Sequence, residues 1–362
     1  MPTTPDRIRS LIHDSGVSQA ALSTELGLDP TKLSKSLNGA RRFTSVELAQ
    51  IAEHFGVTVD WILTGEEPPM ATAARAFQGS SPERAVSEAA RLVELRQSAA
   101  RLGYPKAWHP VPVRSSAARA VDQGTELAAE ATGRVAAMGL DVLAVDLAAV
   151  VEAAFGVDVC LTQLGEGFDG LAAATDEAKI IVAAVTPVAY RQRFTIAHEL
   201  GHLLAADDQG VHADQDIFGG DRRDPTEMRA NAFAAAFLMP EHLVRGAVSA
   251  GFSETEFAAL SVRLFVSPSA LAHRLANLRL IDEMTRDRWR VMSAATAARM
   301  AGASTALAAA TAYSTESRQP GLLARDLFSA YLDEKTTLRP YARLLGVGAE
   351  QLRSDLEREG EG

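Results

Sequence analysis

Apolar residues in the first 65 positions recur at helical spacing and are interrupted by residues that start or stop helices. Ile8, Leu11 and Ile12 give a first helix one buried face. Ser18 is placed to cap a second helix over 19–26, closed by Gly27, and Asp29 with Pro30 opens a third. The third buries Leu33 and Leu37 and runs into Asn38-Gly39. A fourth, over 45–55, buries Leu48, Ile51, Ala52 and Phe55; Gly56 ends it, and a short fifth covers 59–63.

Glu66-Glu67-Pro68-Pro69 reads as a stiff polar linker. Helical spacing returns over 82–102 as one charged helix, and again over 117–138 and 143–155, while the proline-rich stretch 104–113 reads as extended. At Val157 the period changes. Residues 157–162, 168–175 and 178–185 are apolar runs of strand length, with Asp176-Glu177 as a hairpin turn between the last two. Thr186-Pro187 is expected to cap a long helix reaching about 206, followed by an Asp- and Gly-rich loop over 207–225. A further helix over 226–239 stops at Pro240.

Beyond 241 the chain reads as helical and alanine-rich. Val266-Ser267-Pro268-Ser269 opens one helix there, better explained by core packing than by a second DNA-binding motif, because charges are few. Three more helices fit 319–359, broken at Gly346-Val347-Gly348. The outline is mainly α and multidomain: an all-α domain over 1–68, a helical connector over 69–116, a mixed α+β domain over 117–245, and a helical domain over 246–362.

Charge and cysteine content narrow the function. A net charge of −10 argues against a chain that coats nucleic acid, so any DNA contact must come from a local patch. The single cysteine, Cys160, permits no disulfide within the chain, which points to a cytoplasmic protein; its apolar surroundings read as a buried structural thiol. No apolar run is long enough to span a bilayer and no apolar signal segment opens the chain, so no membrane partner is expected.

The local patch lies on and after the third helix. Residues 29–46 hold four basic side chains against one acidic, although 1–70 as a whole holds six against nine. A tight turn at Gly27 between the second and third helices is the helix-turn-helix layout, with the third helix entering the major groove. Lys32, Lys35, Arg41 and Arg42 suit phosphates, while Thr31 and Lys35 could reach base edges. Ser18-Gln19, Leu22, Glu25-Leu26-Gly27-Leu28, Leu33, Asn38-Gly39, Leu48, Ile51-Ala52, Phe55-Gly56-Val57 and Trp61-Ile62-Leu63 resemble the XRE-type family of phage-repressor-like domains. The resemblance implies double-stranded DNA as partner, with Gln19 near a phosphate, Thr31, Lys32 and Lys35 facing the groove, and a homodimer supplying the second half-site. Leu37 departs from it, since the family often has a polar residue there.

The other chemistry lies in Phe194-Thr195-Ile196-Ala197-His198-Glu199-Leu200-Gly201-His202. On a helix, His198 and His202 stand one turn apart on one face and can hold one metal ion. Glu199 then lies beside the metal, placed to take a proton from water. Tyr190, Phe194, Ala197, Gly201 and Leu204 form a stripe facing the core; Gly201 costs about 1 kcal/mol against Ala and implies a close helix or sheet approach. A catalytic zinc site needs a third protein ligand. Asp208, six residues past His202, and Glu227, at the start of the next helix, are both candidates, and the missing glycine at Ala205 favours Glu227.

With Glu227-x-x-Ala230-Asn231-x-Phe233-Ala234 and Leu238-Met239-Pro240, this segment resembles the ImmA/IrrE family of metallopeptidases over roughly 117–280. The resemblance implies a zincin-like fold, zinc (Zn2+) held by His198, His202 and Glu227, and Glu199 as general base. It further implies a regulator that cleaves a repressor or other transcription factor. The alternative is a DNA-bound regulator whose peptidase-like domain senses a ligand or metal without cutting. The small side chains of 170–174 suggest a backbone edge along which a substrate strand could pair.

Overall fold

Capping residues decide where the first three helices begin. α1 (Thr4–Ser15) opens on a capping box between Thr3 and Asp6; Ser18 caps α2 (Gln19–Glu25) through the Ala21 amide, and Asp29 caps α3 (Pro30–Leu37) through the Lys32 amide. α4 (Ser45–Phe55) and α5 (Val59–Thr64) follow. This computed structural model describes residues 3–55, 57, 59–64, 83–105, 108–112, 117–165, 167–207, 211–214 and 224–359. The linker read at 66–69, Gly56 and Asp208 lie outside them.

The chain forms two compact units, Met1–Ala76 and Phe77–Gly362. In the first, Ile8, Leu22, Leu33, Leu37, Ile51 and Ile62 make one core. Leu37 is buried within it, which accounts for an apolar residue at that position. The buried Arg7 donates from Nε to the Ile62 carbonyl at 2.8 Å and from Nη2 to the Leu63 carbonyl at 2.5 Å, fastening α1 to α5.

The second unit is built around a four-stranded sheet in the order β1-β3-β2-β4. β1 (Asp158–Thr162) runs parallel to β3 (Lys179–Ala184), and β2 (Gly170–Ala174) is antiparallel to β3 with Ala172 opposite Ile181. The turn expected at Asp176-Glu177 joins β2 to β3. β4 (Val211–Asp214) lies within the stretch read from sequence as loop, and it pairs with β2, His212 opposite Ala172. β2 is therefore an interior strand, with both backbone edges taken. It cannot accept a substrate strand along 170–174.

Both faces of the sheet are covered, which is why its strands read as apolar runs rather than alternating ones. Ile181 and Ala183 pack into the core with Ile196, Ala197 and Leu200 of α9 (Ala189–Ala205). On the other face, Cys160 lies 3.7 Å from Glu88 of α6 (Glu83–Arg101), the helix read as a charged connector. That helix buries Ala85, Val86, Ala89, Leu92 and Ala99. Its Arg96 is fully buried and bonded to Asp158 on β1 and to Asp326 on α17 (Gly321–Leu332), each at 2.6 Å. Burial alone would lower the pKa of this guanidinium, but the two carboxylates more than offset it and raise it.

α7 (Ala120–Ala137), α8 (Leu147–Phe155) and α10 (Pro225–Leu238) complete the core around α9. α7 and α10 touch backbone to backbone: a Cβ on Gly124 would meet the Arg229 carbonyl at 2.2 Å. Beyond them come α11 (Glu241–Ala247), α12 (Glu254–Leu264), α13 (Pro268–Asn277), α14 (Glu283–Trp289), α15 (Ala294–Met300) and α16 (Ser304–Ser314). α12 and α13 bury Leu260, Leu271 and Leu275 in the same core, consistent with the packing reading of 253–280. α17, α18 (Arg339–Leu345) and α19 (Ala349–Glu359) are the three helices expected over 319–359. Among the described residues, no helix is long and apolar enough to cross a membrane. The fold is mainly α, with one small sheet.

Candidate metal centre and nucleic-acid interface

α9 begins at Ala189, after Val188, and not at the cap expected from Thr186-Pro187. The Thr186 hydroxyl accepts from the Val188 amide at 3.2 Å, just ahead of the helix, while its amide donates to the Ser314 carbonyl at 2.9 Å and its carbonyl accepts from the Ser314 hydroxyl at 2.7 Å. Two arginines then fix the helix. Arg191 grips Asp169 through Nε at 2.7 Å and Nη2 at 2.6 Å, next to β2. Arg193 donates to the carbonyls of Ala144 and Val142 at 2.6 and 2.7 Å and lies over the Phe265 ring; burial lowers its pKa to about 10.

Further along α9, His198, Glu199 and His202 are all buried. Gly201 lets α10 approach, since a Cβ there would stand 3.0 Å from the Phe233 ring. That approach brings Glu227, on the first turn of α10, to both histidines. Its Oε2 lies 3.4 Å from His198 Nε2 and its Oε1 3.3 Å from His202 Nε2. The two ring nitrogens are 3.1 Å apart.

This donor set fits a metal ion. Ligands held tetrahedrally at roughly 2.0–2.2 Å stand about 3.3–3.6 Å from one another, close to the three separations here. Two imidazole lone pairs and a carboxylate converging in a buried position also need positive charge between them. Among the described residues, His198, His202 and Glu227 form the one such group of His, Cys, Asp or Glu donors.

Sequence reasoning missed Asp207. It follows the end of α9, its side chain is buried, and its carboxylate accepts from His202 Nδ1 at 3.2 Å. Arg229 of α10 bonds the other oxygen of Asp207, and its Nη1 donates to Gln123 of α7 at 3.1 Å. A carboxylate five residues past a histidine was the available signal, but spacing alone did not separate it from Asp208. Of the other histidines, His242 is exposed on α11 and His212 falls on β4.

In the first unit, Gln19 is exposed at the start of α2, and Thr31, Lys32 and Lys35 are exposed on α3. Arg42 is exposed as well. Arg41 differs from it: half-buried, it donates from Nε to the Ser36 hydroxyl at 3.0 Å and from Nη2 to Glu47 at 2.5 Å. It ties α3 to α4.

A metal-donor group on two touching helices beside a small sheet, together with a separate five-helix unit, defines a peptidase-like metal domain joined to a helix-turn-helix. Residues 152–276 match the family model for the IrrE N-terminal-like domain, and residues 7–64 match that for the Cro/C1-type HTH DNA-binding domain. Over 123 residues the chain is 34% identical to the radiation response metalloprotease IrrE of Deinococcus radiodurans. The aligned part is 33% of this chain and 37% of that relative, so the chain spans little more than a third of its length. The chain carries an IrrE-like domain of a metallopeptidase family and a Cro/C1-type DNA-binding domain.

Proposed function

We propose that this chain is a DNA-binding regulator whose second unit is a zinc-dependent endopeptidase acting on a regulatory protein, such as a repressor or other transcription factor. The observation that carries the reading is the convergence of His198, His202 and Glu227 at metal-donor separations, with Glu199 adjacent on the same helix. Two imidazoles and one carboxylate suit zinc.

When bound, zinc polarises the scissile carbonyl and acidifies water. His198 and His202 would hold it through Nε2, and Glu227 through a carboxylate oxygen. Asp207 fixes the His202 ring by accepting from Nδ1. Glu199 takes the proton of the attacking water at a carboxylate oxygen and returns it to the departing amide nitrogen. A substrate strand can pair beside β4, the outer strand next to β2 in the sheet order. The DNA-binding unit uses Gln19, Thr31, Lys32, Lys35 and Arg42 on double-stranded DNA, as a homodimer that reads two half-sites.

Metal analysis of the purified chain tests the centre. About one zinc per chain is expected, lost in His198→Ala and His202→Ala and strongly weakened in Glu227→Ala. Full occupancy in all three variants would refute the ligand set.

A further inference from the structure

The second unit contains a cleft of about 950 Å³ that plays no part in the chemistry above. It is lined by residues of α7, α10 and α13, together with Phe194 of α9. Its volume lies in the range of ligand pockets, roughly 300–1,000 Å³. Its apolar lining includes Phe194, Ala232, Ala235, Ala270 and Leu278. Its lining also includes Arg119, Arg274 and Arg279, with Asp122 as the one carboxylate.

The charges in the cleft do not balance. Asp122 is taken by Arg119 at 2.7 Å. Arg274 is only 8% exposed, and its Nε donates to the Met239 carbonyl at 3.3 Å. Among the described residues no carboxylate pairs with it; Glu241, the nearest charged group of opposite sign on α11, is engaged by Arg245 at 2.6 Å. Burial lowers the Arg274 pKa, with Glu241 acting to raise it and Arg245 to lower it. Arg279, which is exposed, likewise pairs with no carboxylate among the described residues, and its backbone sits in the left-handed region at φ 59°.

An arginine fork held in a half-apolar cleft matches an oxyanion, which it can bind through two parallel N–H donors. We infer that this cleft binds a small organic anion, a carboxylate or phosphate on an apolar body, with Arg274 anchoring the charge and Phe194 and Leu278 covering the body. The site is placed to act on the metal centre. Phe194 lies one turn before His198, ring centroids 6.3 Å apart, and Ala232 and Ala235 belong to the helix that carries Glu227. A ligand in the cleft therefore touches both helices that supply metal donors. The inference stands whether or not Glu199 cleaves a peptide.

Calorimetric titration of the full chain with phenyl phosphate and with phenylacetate tests it, with benzyl alcohol as the neutral probe. At least one of the two anions should bind at one site per chain, and benzyl alcohol should not. Arg279→Gln should weaken that binding roughly tenfold or more, and Ala270→Phe, which fills the cleft, should abolish it. Arg274→Gln should abolish it too; should that chain fail to fold, Ala270→Phe and Arg279→Gln decide. Arg290→Gln, away from the cleft, should change nothing. Absence of binding by both anions at millimolar concentration, equal binding of benzyl alcohol, or binding unchanged in Ala270→Phe and Arg279→Gln would overturn the inference.

Discussion

His202 turns its Nδ1 toward Asp207 at 3.2 Å, which leaves Nε2 as the nitrogen that faces His198 and Glu227. A carboxylate behind a ligating imidazole fixes the ring and its tautomer, and losing such a partner typically costs about 10–100-fold in metal affinity. Asp207→Ala should weaken metal binding by that factor while leaving helical content unchanged, as read by competition against a chromophoric chelator. Arg229→Gln, which loosens Asp207 rather than removing it, should have a smaller effect. Unaltered affinity in Asp207→Ala would make the contact incidental.

Two glycines let α10 pack closely against its neighbours, Gly201 on α9 and Gly124 on α7. Alanine at Gly201 would gain about 1 kcal/mol in helix propensity, but its Cβ would meet the Phe233 ring at 3.0 Å. Overpacking of this kind costs about 1–3 kcal/mol, so Gly201→Ala should be neutral to destabilising. Gly124→Ala should be worse, because its Cβ would collide with backbone, the Arg229 carbonyl at 2.2 Å. Urea midpoints should fall in the order wild type, Gly201→Ala, Gly124→Ala. A stabilised Gly124→Ala chain would contradict the backbone contact between α7 and α10.

The helices of the first unit, the β2–β3 hairpin and the long metal-bearing helix are legible in the sequence because their signals are local. Ser18, Asp29 and Pro30 cap and open helices within three residues of themselves. What escaped depends on distant partners. β4 is four residues long and sits in a polar stretch, so it becomes a strand only through β2. The charged pattern of α6 hides a buried face, and Arg96 finds its carboxylates 62 and 230 residues away. Arg41, read as a phosphate contact, is also engaged by Glu47, six residues on.

Arg41 and Arg42 should therefore behave differently. Arg42→Ala should reduce the salt dependence of DNA binding by about 0.9 in the slope of log affinity against log salt, the effect of one lost phosphate contact. Arg41→Ala should lower the stability of the first unit with little change in that slope. Fluorescence anisotropy on a selected duplex at several salt concentrations separates the two.

Glu47 makes that stability pH-dependent. Burial alone would raise its pKa, but the Thr44 amide at 2.8 Å and the Arg41 guanidinium outweigh this and lower it below the usual 4.5. A carboxylate with a depressed folded-state pKa stabilises above its unfolded value, and that stability is lost as pH falls through the folded value. Glu47→Gln should lower the unfolding midpoint of the first unit at neutral pH, and the difference from wild type should close in acid below 4.5. A gap that persists unchanged at low pH would exclude the ionic contribution.

The peptidase role rests most directly on Glu199. Removing a general base typically costs about 10²–10⁴-fold in rate, and Glu199→Gln replaces the carboxylate without touching His198, His202 or Glu227. The decisive measurement compares new protein N-termini in cells making wild-type or Glu199→Gln chain, with zinc content and DNA binding measured on the same purified proteins. A peptidase gives one or a few cleavage sites with wild type alone, while the variant keeps its metal and its DNA affinity and loses regulation. Identical N-termini and unaltered regulation in a fully metallated Glu199→Gln chain would contradict proteolysis and leave a sensing regulator in its place.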